Sequence, residues 1–233
     1  MKVLNFFREG MNWDEKIHGG LVRALNQGNI AKAVDIFQQN FKNADDLVKF
    51  PSILAALEKT MIACFQPVEQ SSGGKDFHIL AIPRATQLRQ VFLNGTRPEF
   101  KKILASPELA AAVRSFIVRQ LKQGDYDSIE RAIRAKSFLV EHMDVLGDRE
   151  LRRSLLIALM KNFTNSERLY KQNIDKIGRG FLSGHEEFFE SVAAKVVEFF
   201  RKRGDEIRAR EIEQVYLGNP DVASKKSSSK NIA

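Results

Sequence analysis

The sequence predicts an all-α protein built from antiparallel helix pairs. Two observations lead to this fold class: apolar residues recur with helical spacing along most of the chain, and glycines separate neighbouring helical segments. The stretch Leu21–Phe37 combines both features, because two short amphipathic helices meet there at Gly28 and Asn29. Glycine adopts the left-handed conformation that ends a helix at low cost, and an asparagine side chain can cap the next helix. We therefore expect a helical hairpin in this stretch.

The apolar pattern around Gly28 returns around Gly95 and Gly124. When the three glycines are aligned, apolar residues occupy matching positions before and after each of them. These residues are Leu21, Leu88 and Ile117, then Leu25, Phe92 and Leu121, then Ala33, Phe100 and Ile129, then Phe37, Leu104 and Ile133. In period and hairpin form the pattern resembles tetratricopeptide or HEAT-like arrays, although their signature residues are absent. We expect a degenerate helical repeat in a solenoid-like array, with an irregular helical bundle as the alternative.

Helix start and stop signals place the remaining elements in order. Ser106 followed by Pro107 opens one helix, and Ser183 with Glu186 has the spacing of a capping box that opens another. Gly178 and Gly180 are expected to end the helix that precedes Ser183. After a short amphipathic segment at Met1–Glu9, helices are expected over 13–27, 29–41, 52–65, 83–94, 98–105, 107–123, 127–135, 137–146, 148–162 and 165–177, then from Ser183 to Gly204 and from Asp205 to Leu217.

The segment 66–83 interrupts this helical pattern. Its two serines and paired glycines favour a flexible loop, and Phe77–Ile82 has the composition of a strand that lacks a partner. A connection of this length inside a compact helical domain is often either functional or disordered, and both alternatives stay open. The residues that could make it functional are Gly73, Gly74, Lys75 and His78.

Composition indicates one soluble domain over 1–217, followed by a disordered polar tail at 218–233. The chain has a formal net charge of +8 and 43% hydrophobic residues, and no apolar run is long enough to span a membrane. We expect no cleavable signal peptide and a cytoplasmic protein, with export by another route as the alternative. The single cysteine, Cys64, lies on an apolar helical stretch and is expected to be buried.

The pattern of reactive residues argues against an enzyme. The four histidines are scattered and none has a second ligand at helical spacing, so we expect no metal site. No nucleophile motif, dinucleotide fingerprint or phosphate-binding loop is present, and we expect neither catalytic residues nor a cofactor.

The most favoured function is non-catalytic binding of a protein or peptide, because stacked helix pairs create extended binding surfaces. One alternative is nucleic-acid binding through the basic C-terminal half. Another is a secreted bacterial effector acting on host proteins, a hypothesis that rests on the serine- and lysine-rich tail. The oligomeric state stays open. The densest cationic cluster, which could bind an anion or a partner, comprises Arg201, Lys202, Arg203, Arg208 and Arg210.

Overall fold

A computed structural model describes residues 15–67, 74–139, 144–165 and 170–218. Within these ranges the protein is all-helical and has no strand, which confirms the predicted fold class at this level. None of the helices in the described ranges is long and apolar enough to cross a membrane. The helices are α1 (15–26), α2 (Ile30–Asn40), α3 (Pro51–Phe65), α4 (Gly74–Phe92), α5 (Pro98–Leu104), α6 (Pro107–Gln123), α7 (Tyr126–Lys136), α8 (Arg149–Thr164), α9 (Tyr170–Phe181), α10 (Glu186–Lys202) and α11 (Glu206–Ile212), with a 3-10 turn at Ala44–Lys49 and a π-helical turn at Glu213–Leu217.

Contacts within the chain divide it into two compact units. Unit 1 comprises Met1–Phe116 and Arg134–His142, and unit 2 comprises Ile117–Ile133 and Met143–Ala233. Both units fall largely within the stretch 1–217 that the sequence predicts as one domain. The predicted tail at 218–233 lies outside the described residues apart from Gly218, and so does the segment Met1–Glu9.

The first helix pair of unit 1 forms as predicted. Gly28 has a φ of 67°, the left-handed value that ends α1, and the Asn29 side chain accepts a hydrogen bond of 3.1 Å from the Lys32 backbone N–H. Leu21 and Leu25 are fully buried on the inner face of α1. The glycine and asparagine at the turn and the burial of the apolar faces of α1 and α2 therefore specify the same hairpin.

Cys64 lies on α3 in the same unit and is buried, as the apolar stretch predicts. Burial raises the pKa of its thiol to about 11. The thiol is therefore neutral near pH 7 and behaves as a small apolar side chain.

The three aligned glycines turn the chain for two different reasons. Gly124 has a φ of 71° and resembles Gly28, whereas Gly95 does not have a positive φ. A Cβ atom at Gly95 would instead overlap the Phe100 ring and the Asp45 carboxylate. Asp45 also accepts hydrogen bonds of 3.1 Å from the backbone and the hydroxyl of Thr96, so the turn at Gly95 is fixed by close packing.

The loop and the strand predicted within 66–83 are wrong from Gly74 onward. Helix α4 begins at Gly74 and continues through Pro83 to Phe92. An apolar run as short as Phe77–Ile82 fits a buried strand and a helix equally well. Here it is part of the same continuous helix as the residues that follow it, up to Phe92. Residues 68–73 lie outside the described residues.

The predicted helix end before Gly178 is also wrong. Helix α9 passes through both Gly178 and Gly180 and ends at Phe181. A Cβ atom at Gly180 would lie 2.7 Å from Cγ1 of Ile133, so this glycine permits close packing within unit 2. The helix accepts two glycines because tertiary packing compensates for their low helix propensity.

Unit 2 is built around α8 and α10. Helix α8 packs against α9 and α10, and α10 packs against α11 and the π-helical turn. Two buried amides link the elements: Asn162 Nδ2 donates to the Gly124 carbonyl at 3.0 Å, and Asn173 Nδ2 donates to Asn162 Oδ1 at 2.7 Å. Helices α9 and α10 thus both pack on α8, and the candidate site is lined by residues of both.

Candidate functional site

An open groove of about 600 Å³ lies on unit 2, between α9, the first turns of α10 and the π-helical turn. Its wall combines apolar, aromatic and charged side chains, which is the usual composition of a ligand site. The lining residues are Ile174, Asp175, Gly178, Arg179, Leu182, Ser183, Glu186, Phe189, Glu190 and Tyr216.

An aromatic cluster supports one side of the groove. The ring of Tyr216 meets the ring of Phe163 edge-on at 5.3 Å and that of Phe189 at 5.7 Å, measured between centroids. Phe163 is fully buried on α8, whereas Phe189 and Tyr216 are partly exposed and line the groove. Edge-to-face pairs of this kind hold the rings in fixed orientations, so the aromatic wall is preformed.

The Tyr216 hydroxyl is buried and has no hydrogen-bond partner among the described residues. Burial, and then the charge of Asp175, raise the pKa of this phenol well above its usual range, so it stays protonated. A buried polar group without a partner costs about 1–3 kcal/mol. Tyr216 stands on a π-helical turn, an uncommon geometry that is frequent at functional sites.

The rim of the groove is predominantly acidic. Asp175, Glu186 and Glu190 contribute three carboxylates, whereas Arg179 is the one cation among the lining residues. Glu186 accepts a hydrogen bond of 2.9 Å from the Gly184 N–H, and this bond lowers the pKa of its carboxyl group. None of the three carboxylates forms an ion pair with a described residue. The rim therefore presents uncompensated negative charge to a ligand.

The capping box predicted from Ser183 and Glu186 takes a different form. His185 occupies the N-cap position of α10 and makes no side-chain capping bond. Only the Glu186 carboxylate reaches back, to Gly184, whose φ is 84°. Ser183 is exposed and lines the groove.

Three cations of the predicted basic cluster are engaged by carboxylates. Arg201 forms an ion pair with Glu213 at 2.6 Å and a longer one with Glu206 at 3.7 Å. Lys202 pairs with Glu198 on the same helix at 2.6 Å, and Arg210 pairs with Glu206 at 3.6 Å. Their charges are therefore largely compensated within unit 2.

The other two cations of that cluster lie over aromatic rings. The Arg203 guanidinium carbon is 4.6 Å from the centroid of Phe199, and that of Arg208 is 5.1 Å from the centroid of Phe200. Arg208 Nη2 also donates to the Asn165 carbonyl at 2.6 Å, just past the end of α8. A cation suits a helix C-terminus, so Arg208 has a structural role.

The residues predicted as a functional loop do not form one in the described part of the chain. Gly73 lies outside the described residues, Gly74 is the first residue of α4, and Lys75 and His78 lie on its first turns. Gly74, Lys75 and His78 therefore lie on a helix.

A second cavity, of about 470 Å³, lies on unit 1 beside α4 and α5. Arg89 lines it, donates from Nη1 to the Ser137 carbonyl at 2.9 Å and lies 5.8 Å from the Phe138 ring centroid. Arg89 is thus held in place by unit 1 itself. Within the described ranges, no group of three or more potential metal ligands occurs in either unit.

Sequence reasoning did not select the groove residues. Asp175, Glu190 and Tyr216 come from three elements. In the sequence, each carboxylate is indistinguishable from an ordinary charged residue on the solvent-exposed face of a helix. The one usable signal was the pair Ser183 and Glu186 ahead of a strongly amphipathic helix, which correctly located the start of α10 to within a few residues. Comparisons with protein-family models, curated proteins and solved structures find no match to this chain.

Proposed function

We propose that this protein is a non-catalytic helical protein that binds a polypeptide segment in the groove of unit 2. The observation that carries the proposal is the combination, in one open groove, of a preformed aromatic wall and a rim on which three carboxylates face a single described cation, Arg179. Aromatic side chains contribute disproportionately to protein-binding energy, and polar rims give orientation and specificity.

A polypeptide suits the shape and chemistry of the groove. Residues of two helices and of the π-helical turn line it, and they present both apolar and charged groups to a segment that carries anchors of both kinds. The rings of Tyr216 and Phe189 are partly exposed in the groove, and they give the apolar anchors of such a segment a preformed surface.

The non-catalytic part of the proposal rests on the groove lining. The described lining contains neither histidine nor cysteine, and no hydrogen bond links its one serine, the exposed Ser183, to a lining carboxylate. The basic cluster is a weaker candidate for nucleic-acid binding, because its cations already contact carboxylates and rings.

The test fills the groove without removing any existing side chain. A Cβ atom at Gly178 would meet only Phe189, at 3.9 Å, so Gly178→Leu places a side chain in the groove. The matched control is Gly19→Leu on α1 in unit 1, where a Cβ atom meets nothing within 4 Å. Peptides selected from a random display library on the immobilised full chain are titrated by calorimetry into wild type and both variants.

We expect Gly178→Leu to lose peptide binding and Gly19→Leu to retain it, with circular dichroism confirming that both variants fold. Equal binding by all three chains would overturn the groove as the site. A library that yields no peptide sensitive to Gly178→Leu would overturn the proposed function itself.

We further propose that the helix pairs form the solenoid-like array predicted from the aligned glycines. The support is that most of the aligned apolar positions are buried, including Leu25 and Leu121. Repeat arrays are stabilised mainly by neighbouring repeats. Leu25→Ala should then reduce hydrogen-exchange protection in 15–40 much more than in α10, and an equal loss in both would favour the irregular bundle.

The secreted-effector hypothesis concerns the tail and is independent of the groove. It stays a hypothesis, and deleting residues 219–233 tests it. Secretion that continues unchanged after the deletion would remove its basis.

A further inference from the structure

The acidic rim of the groove is unusual in a chain with a net charge of +8. Asp175 approaches from α9, and Glu186 and Glu190 approach from one face of α10, against the single cation Arg179. Charge complementarity therefore favours a cationic ligand over a neutral or anionic one. The aromatic wall adds attraction for a cation, because ring faces carry negative electrostatic potential.

A lysine side chain matches both features of the groove. Its aliphatic stem packs on aromatic and apolar surface while the ammonium group stays at a polar rim. The partly exposed ring of Phe189 supplies that surface, and the carboxylates of Asp175 and Glu190 supply the rim.

Unit 2 already holds a lysine in this chemical setting. The Lys176 ammonium lies 3.6 Å from the ring centroid of Tyr126 and 2.9 Å from the Glu130 carboxylate. The pKa of Lys176 is raised by its hydrogen bonds to Tyr126 and Glu130, against the opposing effect of desolvation. An aromatic ring beside a carboxylate is thus a combination with which this protein binds a lysine.

The chain carries lysines immediately after the groove. Gly218 follows two residues after Tyr216 and has a φ of 71°, and the next residues, Asn219-Pro220-Asp221, have the composition of a turn. Lys225 and Lys226 follow after three more residues, and Asp221 is the one acidic residue after Gly218. The seven residues that follow Gly218, up to Lys225, reach about 23 Å when extended, so they can return to a groove that begins at Tyr216.

We propose that the groove is a lysine-binding site and that the pair Lys225–Lys226, from the segment 219–233 of the same chain, is its occupant. The inference rests on the proposed function, because the tail and the polypeptide ligand use the same groove. The tail then competes with the ligand. Since a short tether gives an effective concentration in the millimolar range, a weak contact is enough for partial occupancy.

The test compares two full-length double variants that remove the same charge. Lys225→Gln with Lys226→Gln removes the proposed occupant, and Lys101→Gln with Lys102→Gln removes an adjacent exposed pair on α5 in unit 1. The first readout is the backbone amide resonances of Asp175, Phe189 and Glu190. We expect the tail variant to shift these resonances and the α5 variant to leave them unchanged.

A second readout adds the occupant back. A synthetic peptide with the sequence 219–233 is titrated into the tail variant, and it should restore the wild-type resonance positions. Adding Glu190→Gln to the tail variant should weaken this effect. If the resonances are identical in wild type and tail variant, or if the peptide leaves them unmoved, the inference is wrong.

Affinity separates this inference from the proposed function. If the tail occupies the groove two thirds of the time, the tail variant binds a groove-selected peptide about threefold more tightly than wild type. Equal affinity would overturn tail occupancy and leave the groove as a peptide site. Tail-dependent resonance shifts without any peptide binding would overturn the proposed function and leave tail occupancy. Shifts that grow with protein concentration would assign the tail to a second copy and overturn the intramolecular contact.

Discussion

The two ends of α10 carry opposite charges that are compensated in different ways. At its N-terminal end Glu186 and Glu190 border the groove and form no ion pair with a described residue, whereas at its C-terminal end Arg201 and Lys202 contact carboxylates directly. The helix dipole favours both placements, since it stabilises anions near the N-terminus and cations near the C-terminus. The dipole therefore explains where the charges lie. The packing of neighbouring elements decides which of them stay available to a ligand.

This contrast changes which part of unit 2 is functionally interesting. The dense cationic run at 201–210 is conspicuous in the sequence, but the structure surrounds it with Glu198, Glu206 and Glu213. The sparser acidic residues near 186 have fewer internal partners. Charge density in a sequence is thus a poor guide to free charge, because side chains four residues apart or on adjacent helices neutralise one another.

The largest effect is expected at the aromatic wall of the groove. Phe189→Ala removes a partly exposed ring that contacts Tyr216 and Phe163, so we expect the free energy of unfolding to fall by about 2–3 kcal/mol and peptide binding to be lost. Urea unfolding and calorimetry measure the two effects. Phe199→Ala near the other end of the helix is the control, and equal loss of peptide binding there would contradict the assignment of the groove.

The two glycines of α9 differ in how much room surrounds them, and of the two only Gly178 is among the described residues that line the groove. On α9, Gly178→Ala puts a methyl group in ordinary contact with Phe189, so helix propensity should raise stability by about 0.5–1 kcal/mol. Two residues later, Gly180→Ala would press on Ile133, and we expect a loss of about 1–2 kcal/mol. Thermal unfolding of the two variants compares them directly. A loss of stability in both variants would show that the groove side of α9 has no spare space.

The acidic rim is tested by removing its charge without changing its shape. Asp175→Asn combined with Glu190→Gln should weaken binding of a lysine-containing peptide about tenfold, equivalent to about 1.4 kcal/mol. Glu187→Gln is the control, because Glu187 is exposed on the same turn of α10 and does not line the groove. Titrations in low and moderate salt measure the difference. Unchanged affinity in the double variant would show that the groove does not select cations.

The smallest effect is expected at the compensated end of α10. Arg201 is partly exposed, so Arg201→Gln should lower the free energy of unfolding by less than about 1 kcal/mol, and salt should reduce the difference. Peptide affinity should not change. Binding of a DNA oligonucleotide that disappears in this variant would contradict the view that these cations are internally engaged.

Local sequence signals predicted the helices well and the groove poorly. The hairpin at Gly28 was predictable because the glycine conformation, the Asn29 cap and the apolar stripes all lie within a few residues of one another. The helical course of 77–82 was not predictable, because an apolar run of that length fits a strand and a helix equally well. The continuation of α9 through Gly180 was not predictable either, because there the glycine packs closely against the distant Ile133. The groove joins α9, α10 and the π-helical turn, so its composition became visible only once these elements were placed side by side.

The π-helical turn at Glu213–Leu217 sets the directions in which its side chains project from the helix axis, that of Tyr216 included. A turn of this type accommodates one residue more than an α-helix would, and each α-helical residue advances about 100° around the axis. Deleting Gln214 would therefore return the turn to regular α-helix and change the direction in which Tyr216 projects relative to Phe189. It would redirect the chain that leaves at Gly218 as well, although the net charge would not change. The aromatic wall and the exit direction of the lysine-bearing segment are thus coupled through a single inserted residue.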